Sequence, residues 1–174
     1  MSGERGVVRM RHALVRALEG ALGLAMAVLV LAVVWQVVSR FVINRPSSWT
    51  EELARALMIG VSFLGAAVAY ARGGHLGVDY FVNRLSAPSR RVVTAAAHLA
   101  VAFFALVVMV YGGALLVGRV LALGQLTPAL GLHVGHLYLP VPIGGGFIAL
   151  FALEFAWESM RARPTAAGGE GVAS

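Results

Sequence analysis

The sequence predicts an all-α membrane protein, with four transmembrane helices and a short interfacial helix between the second and the third. Three observations predict it. The 174 residues are 59% hydrophobic and only 13% charged, whereas soluble domains carry about 25% charged residues. Four stretches contain no charged residue: between Glu19 and Arg40, Arg55 and Arg72, Arg91 and Arg119, and Arg119 and Glu154. The 14 basic residues are all arginines and gather near the ends of those stretches, where membrane topology signals sit. A membrane domain at residues 17–158 therefore takes up most of the chain, flanked by a basic cytoplasmic tail at 1–16 and a disordered cytoplasmic tail at 159–174.

The first span runs from about Leu18 to Ile43, longer than the roughly 20 apolar residues that cross hydrocarbon. Arg5, Arg9, Arg11 and Arg16 precede it like the basic region of a signal peptide. The apolar run is too long for a signal sequence and no small-residue cleavage site follows, so it reads as an uncleaved anchor. Asn44-Arg45-Pro46-Ser47-Ser48 makes a turn, because proline cannot continue a helix and Ser and Asn start turns. Ser48-Trp49-Thr50-Glu51 matches a capping box, in which Ser48 and Glu51 exchange side-chain-to-amide hydrogen bonds. The second span then runs from Glu51 to Tyr70, and Arg72-Gly73-Gly74-His75 ends it.

Leu76 to Ala87 mixes Leu76, Tyr80, Phe81 and Leu85 with Asp79, Asn83 and Arg84. That is the composition of a short helix lying on the membrane surface, and Pro88 breaks it. The third span runs from Arg91 to Gly118, long enough to tilt. Gly124, Pro128, Gly131 and Gly135 interrupt the next apolar stretch, which predicts a loop or re-entrant hairpin at 120–136. The fourth helix starts near Leu137 and ends near Trp157. Its first turn holds Pro140 and Pro142, where a missing amide donor matters little.

Arginine counting sets the topology. Four arginines lie in the N-terminal tail, four in the 72–91 connection and two in the C-terminal tail, against Arg40, Arg45, Arg55 and Arg119 opposite. That excess places both termini in the cytoplasm. Trp49 and Tyr138 then anchor the outer interface, and Tyr70, Tyr80 and Trp157 the inner one. The same scattered placement argues against a nucleic-acid partner despite a pI near 11, since such partners need a clustered basic patch.

The residues that could carry chemistry are few. The absence of cysteine rules out disulfides, thiolate metal sites and cysteine nucleophiles. A membrane haem needs ligands paired across helices, yet His98 is the sole histidine inside a span, with His75 at an interface and His12 in the tail. His133 and His136 have metal-like spacing but no Cys, Asp or Glu beside them, so hydrogen-bonded or solvated histidines are the reading, with no cofactor. No Ser-His-Asp order, paired intramembrane carboxylates or phosphate loop points to an enzyme. An ion-coupled carrier usually keeps an ionisable group inside the membrane, and here no carboxylate lies near the middle of a span.

Two features remain. Small residues line the spans: Gly60, Gly65 and Ala66; Ala95 to Ala97, Gly112 and Gly113; Gly145 with Ala149 and Ala152 with Ala156. They permit close helix packing in lipid, either within this chain or against a second subunit. Glu51, Glu52 and Arg55 form a charged cluster at the outer surface, and Arg72, His75 and Asp79 another at the inner one.

Arg40 with Trp49-Thr50-Glu51-Glu52-Leu53-Ala54-Arg55, then Phe63-Leu64-Gly65-Ala66, then Arg72-Gly73-Gly74-His75-Leu76-Gly77-Val78-Asp79, closely resembles the small, DctQ-like membrane subunit of tripartite ATP-independent periplasmic (TRAP) transporters. Thr127-Pro128-Ala129-Leu130-Gly131-Leu132 and Tyr138-Leu139-Pro140-Val141-Pro142-Ile143-Gly144 also look like that family, so the likeness spans about residues 20–157. His133-Val134-Gly135-His136 matches no family pattern. The resemblance implies a four-helix subunit in the bacterial inner membrane that binds a large multi-spanning membrane subunit, which holds the substrate and sodium sites. It also implies a periplasmic substrate-binding protein that delivers an organic acid, often a carboxylate. The expected function is thus a non-catalytic scaffold. Arg40, Glu51, Glu52 and Arg55 are expected at the outer interface with the partner subunit or binding protein, Arg40 bridging to the two glutamates or to lipid phosphate. Arg72, His75 and Asp79 are expected to fix the inner cytoplasmic turn. The alternatives are a self-contained four-helix exporter, which flux through the chain alone would reveal, and a membrane cytochrome subunit, which a haem spectrum would reveal.

Overall fold

The computed structural model describes residues 2–73 and 87–161. Six α-helices appear there: α1 Ser2–Phe41, α2 Ser48–Ala71, α3 Ala87–Phe104, α4 Gly113–Ala122, α5 Val134–Leu137 and α6 Pro140–Arg161. A π-helical segment, Ala105–Gly112, joins α3 to α4, so the third span is one continuous rod. No β-strand forms among the described residues, and the isolated bridge Leu126–His133 only closes a loop. Four apolar segments are long enough to cross a membrane: Arg11–Phe41, Ser48–Ala71, Ser89–Ala122 and Val134–Arg161. The 34-residue third segment rises about 50 Å against roughly 30 Å of hydrocarbon.

The fourth span sits at the centre. α6 packs on α2 along one side and on α3 and the π-helical segment along another, while α1 lies outside against α2. The core is built from Ala67, Tyr70, Ala102, Ala105, Ile148, Ala149, Phe151 and Ala152. Small residues on α6 let its neighbours approach. A methyl added at Gly144 would lie 2.9 Å from the Phe63 carbonyl oxygen, and one at Gly145 would overlap Met109 Cβ. Gly145, Ala149, Ala152 and Ala156 are all buried, so this stripe serves packing within the chain. α1 differs: Leu24 and Leu31 are 69% and 68% exposed.

Several sequence expectations are corrected. α1 does not begin at Leu18 but runs back to Ser2. Arg11, Leu14, Val15 and Leu18 have partners on other helices, with the three apolar ones packed on the core, and those contacts stabilise a tail that topology counting treats as a mere signal. The capping box does not form. α2 starts at Ser48 with Ser47 as its N-cap and no side-chain cap, and the Thr50 hydroxyl donates to the Ser47 carbonyl at 2.7 Å. The turn before it places Asn44 at φ 57°, a conformation asparagine tolerates better than most residues. The third span continues to Ala122, so the loop is 123–133 rather than 120–136. It folds back as a closed turn in which the Thr127 and Val134 amides donate to Leu132 and Gln125. The fourth span opens with the short α5 before Pro140 enters the first turn of α6. Tyr70 is buried in the core rather than placed at the interface. The interfacial segment, with Tyr80, and the C-terminal tail from residue 162 lie outside the described residues.

Candidate functional site

The N-terminal end of α2 carries the predicted cluster and divides it. Glu51 and Arg55, one turn apart, pair at 3.3 Å with both side chains more than half exposed, so their mutual attraction contributes under about 1 kcal/mol. Glu52 points elsewhere. Its two carboxylate oxygens accept the amides of Ala129 and Leu130, each at 2.9 Å. Thr127 reinforces the same loop by accepting the Leu132 amide at 3.1 Å. A negative charge facing two adjacent backbone donors is a strong, directional clamp, so Glu52 holds the 123–133 loop over the start of α2. Sequence proximity had grouped Glu52 with its neighbours; a partner 77 residues away leaves no local signal.

Arg40 lies beside this cluster without joining it. It lines an open cavity of about 290 Å³ together with Gln36, Pro46, Ser47, Ser48 and Glu51, and its guanidinium stands 5.9 Å from the Phe41 ring. Among the described residues it forms no ion pair with Glu51 or Glu52. Ser47 Oγ is buried there with no hydrogen-bond partner among the described residues. Trp49 is about half exposed.

At the opposite end, Arg72 is tied to α1, where its Nε donates to the Glu19 carboxylate. That hydrogen bond raises the guanidinium above its ordinary pKa. Gly73 follows at φ 80°, which glycine adopts without strain. His75 and Asp79, the other expected members of the inner turn, lie outside the described residues. A second tie was not visible in the sequence. The Arg11 guanidinium approaches Glu154 and Glu158 of α6 at 3.6 and 3.7 Å and stands over the Phe155 ring at 5.4 Å. Between them, the Tyr70 hydroxyl and His98 Nδ1 share a hydrogen bond at 2.7 Å, and both rings pack on Phe155. His98 is therefore a hydrogen-bonded histidine of the packing. His133 and His136 stack edge to face at 5.7 Å between centroids, and no group of three metal-ligating side chains exists among the described residues.

The polar contacts thus fasten helix ends and one loop, while the middle of the bundle is apolar. This arrangement defines a small multi-pass membrane protein whose ion pairs lie toward the ends of its helices. The family described as tripartite ATP-independent periplasmic transporters, DctQ component, matches residues 29–162. The chain is 30% identical over 138 residues to the sialic acid TRAP transporter small permease protein SiaQ of Vibrio cholerae, covering 78% of this chain and 77% of that protein. It is 31% identical over 148 residues to the ectoine TRAP transporter small permease protein TeaB of Halomonas elongata, covering 82% and 74%. A 56-residue stretch is 36% identical to the sialic acid TRAP transporter permease protein SiaT of Haemophilus influenzae, covering 32% of this chain and 9% of that protein. The chain belongs to the DctQ family, the small membrane component of TRAP transporters, and is a multi-pass protein of the bacterial inner membrane.

Proposed function

We propose that this chain is the scaffold subunit of a sodium-coupled TRAP transporter that imports organic acids, carboxylates above all. Its partners are a large multi-spanning membrane subunit, which carries the transport sites, and a periplasmic protein that binds the substrate and delivers it. The observation that carries this reading is the family match across residues 29–162, joined to relatives named for solutes as unlike as sialic acid and ectoine. One kind of small subunit serving different solutes leaves substrate choice to the other components. The apolar bundle interior agrees with that division, because ion coupling calls for an ionisable group at depth.

Both termini face the cytoplasm in this reading, as the arginine excess directs. The outer docking surface is the exposed charge of Arg40, Glu51 and Arg55, next to the loop that Glu52 holds in shape. Arg72, with His75 and Asp79 of the family-like motif, fixes the cytoplasmic turn. The test replaces Glu51 with Arg and Arg55 with Glu, singly and together, in cells carrying all three components. Each single reversal is expected to lower co-purification of the large subunit or solute uptake several-fold while the chain still inserts. The double swap restores the pair within α2 but not the pattern seen by a partner, so it remains impaired. Unchanged uptake and co-purification in all three variants would remove this patch from the interface.

A further inference from the structure

At the end opposite that patch, a cleft of about 330 Å³ opens between the N-terminal part of α1 and the end of α2. Its volume admits roughly ten waters, enough for a hydrated phosphate group. The polar lining is Arg11, His12, Arg16, Glu19 and Arg72, which sets three guanidiniums against one carboxylate. Arg11 is engaged by Glu154 and Glu158 on α6. Arg72 meets Glu19 through Nε, so its Nη edge is outside that contact, and its side chain is 68% exposed. Arg16 has no carboxylate within ion-pair distance among the described residues. Two arginines from different helices therefore face one cleft with a single carboxylate, Glu19, among its described lining.

The depth of the cleft narrows what can fill it. Glu19 is the last charged residue before the uncharged run of α1, and Arg72 the first after that of α2. The cleft thus stands at the edge of the hydrocarbon, the level of lipid headgroups. Arginine presents a planar fork of donors that matches phosphate oxygens, and basic pockets between helices at this depth suit anionic headgroups. We propose that the cleft binds the phosphodiester headgroup of an anionic phospholipid, with Arg16 and Arg72 as its donors from α1 and α2. The bound phosphate bridges the two helices alongside the Arg72–Glu19 contact and helps keep the N-terminal part of α1 against the bundle. This holds whichever leaflet supplies the lipid.

The test is native mass spectrometry of the full chain in mild detergent, with added phosphatidylglycerol or phosphatidylethanolamine of identical chains. The wild type is expected to retain phosphatidylglycerol in preference, and Arg16→Gln to weaken that retention roughly fivefold. Arg16→Gln with Arg72→Gln should weaken it further. Arg90→Gln, which removes the same charge from an exposed position at the start of α3, should retain the lipid like the wild type. Arg16 makes no ion pair within 4 Å among the described residues, so its variant keeps the fold, read as a wild-type melting temperature in detergent without added lipid. Equal retention of the two lipids by the wild type would overturn the proposal. So would a loss in Arg90→Gln as large as in Arg16→Gln, since a diffuse basic field would then suffice. Displacement of phosphatidylglycerol by millimolar inorganic phosphate would assign the cleft to a soluble anion and overturn the lipid.

Discussion

Glu51 and Glu52 are neighbours in sequence and take separate roles because successive side chains on a helix diverge by about 100°. One faces out with Arg55; the other turns under the 123–133 loop and receives two amides. Glu52→Ala leaves those amides without their carboxylate, while no core side chain is disturbed. The expected result is local: amide exchange at Ala129 and Leu130 accelerates on the order of tenfold, with helix content unchanged by circular dichroism. Equal exchange in both proteins would show that the loop holds itself. Tyr70 tests the other end of the chain. It is 8% exposed, and Tyr70→Phe keeps its packing on Phe155 while removing the hydroxyl from His98. The loss should be about 1 kcal/mol, read as a lower thermal midpoint in detergent. A midpoint at or above the wild-type value would mean that the hydrogen bond contributes nothing net.

At the scale of helices, α6 explains the packing and marks how far the sequence could be read. The spans were legible because charge-free length in a membrane chain has one stable solution: a helix that satisfies its own backbone. The proline-bearing start of the fourth span was legible for a similar local reason. The central position of α6 was not. Gly145, Ala149, Ala152 and Ala156 announced close approach, but a stripe of small residues does not name its neighbour. The helical tail before Leu18 was hidden because its fastenings, Arg11 to Glu154 and Glu158, join residues far apart in sequence. The π-helical segment has no composition of its own either; it becomes visible only where Met109 meets Gly145. That contact is testable. A methyl at Gly145 overlaps Met109 Cβ, whereas one at Gly146 meets nothing within 4 Å. Gly145→Ala should destabilise the bundle by about 1–3 kcal/mol through overpacking. Gly146→Ala should be neutral or slightly stabilising, because alanine is the better helix former. Matching thermal midpoints for the two variants would show that α6 and the π-helical segment separate without penalty.

For the whole molecule, the number of crossings decides which ends share a side. Four apolar segments of spanning length are present among the described residues. Residues 74–86, which join the second span to the third, number too few for the roughly 20 residues of a further crossing. An even number of crossings returns the second end of the bundle to the side of the first. Arg9, Arg11 and Arg16, Arg72, Arg90 and Arg91, and Arg161 then lie on one face, against Arg40, Arg45, Arg55 and Arg119 on the other. In the proposed orientation that excess directs the first face to the cytoplasm. The proposed orientation also puts the Glu52-held loop and the Glu51–Arg55 pair on the periplasmic face. The chain contains no cysteine, so single cysteines report sidedness directly. Ser48→Cys and Ala129→Cys should react with a membrane-impermeant maleimide added to intact spheroplasts. Ser89→Cys and Ser159→Cys should react only after the membrane is opened. The reverse pattern would invert the topology, and labelling of Ser89→Cys and Ser159→Cys from opposite sides would break the four-crossing bundle itself.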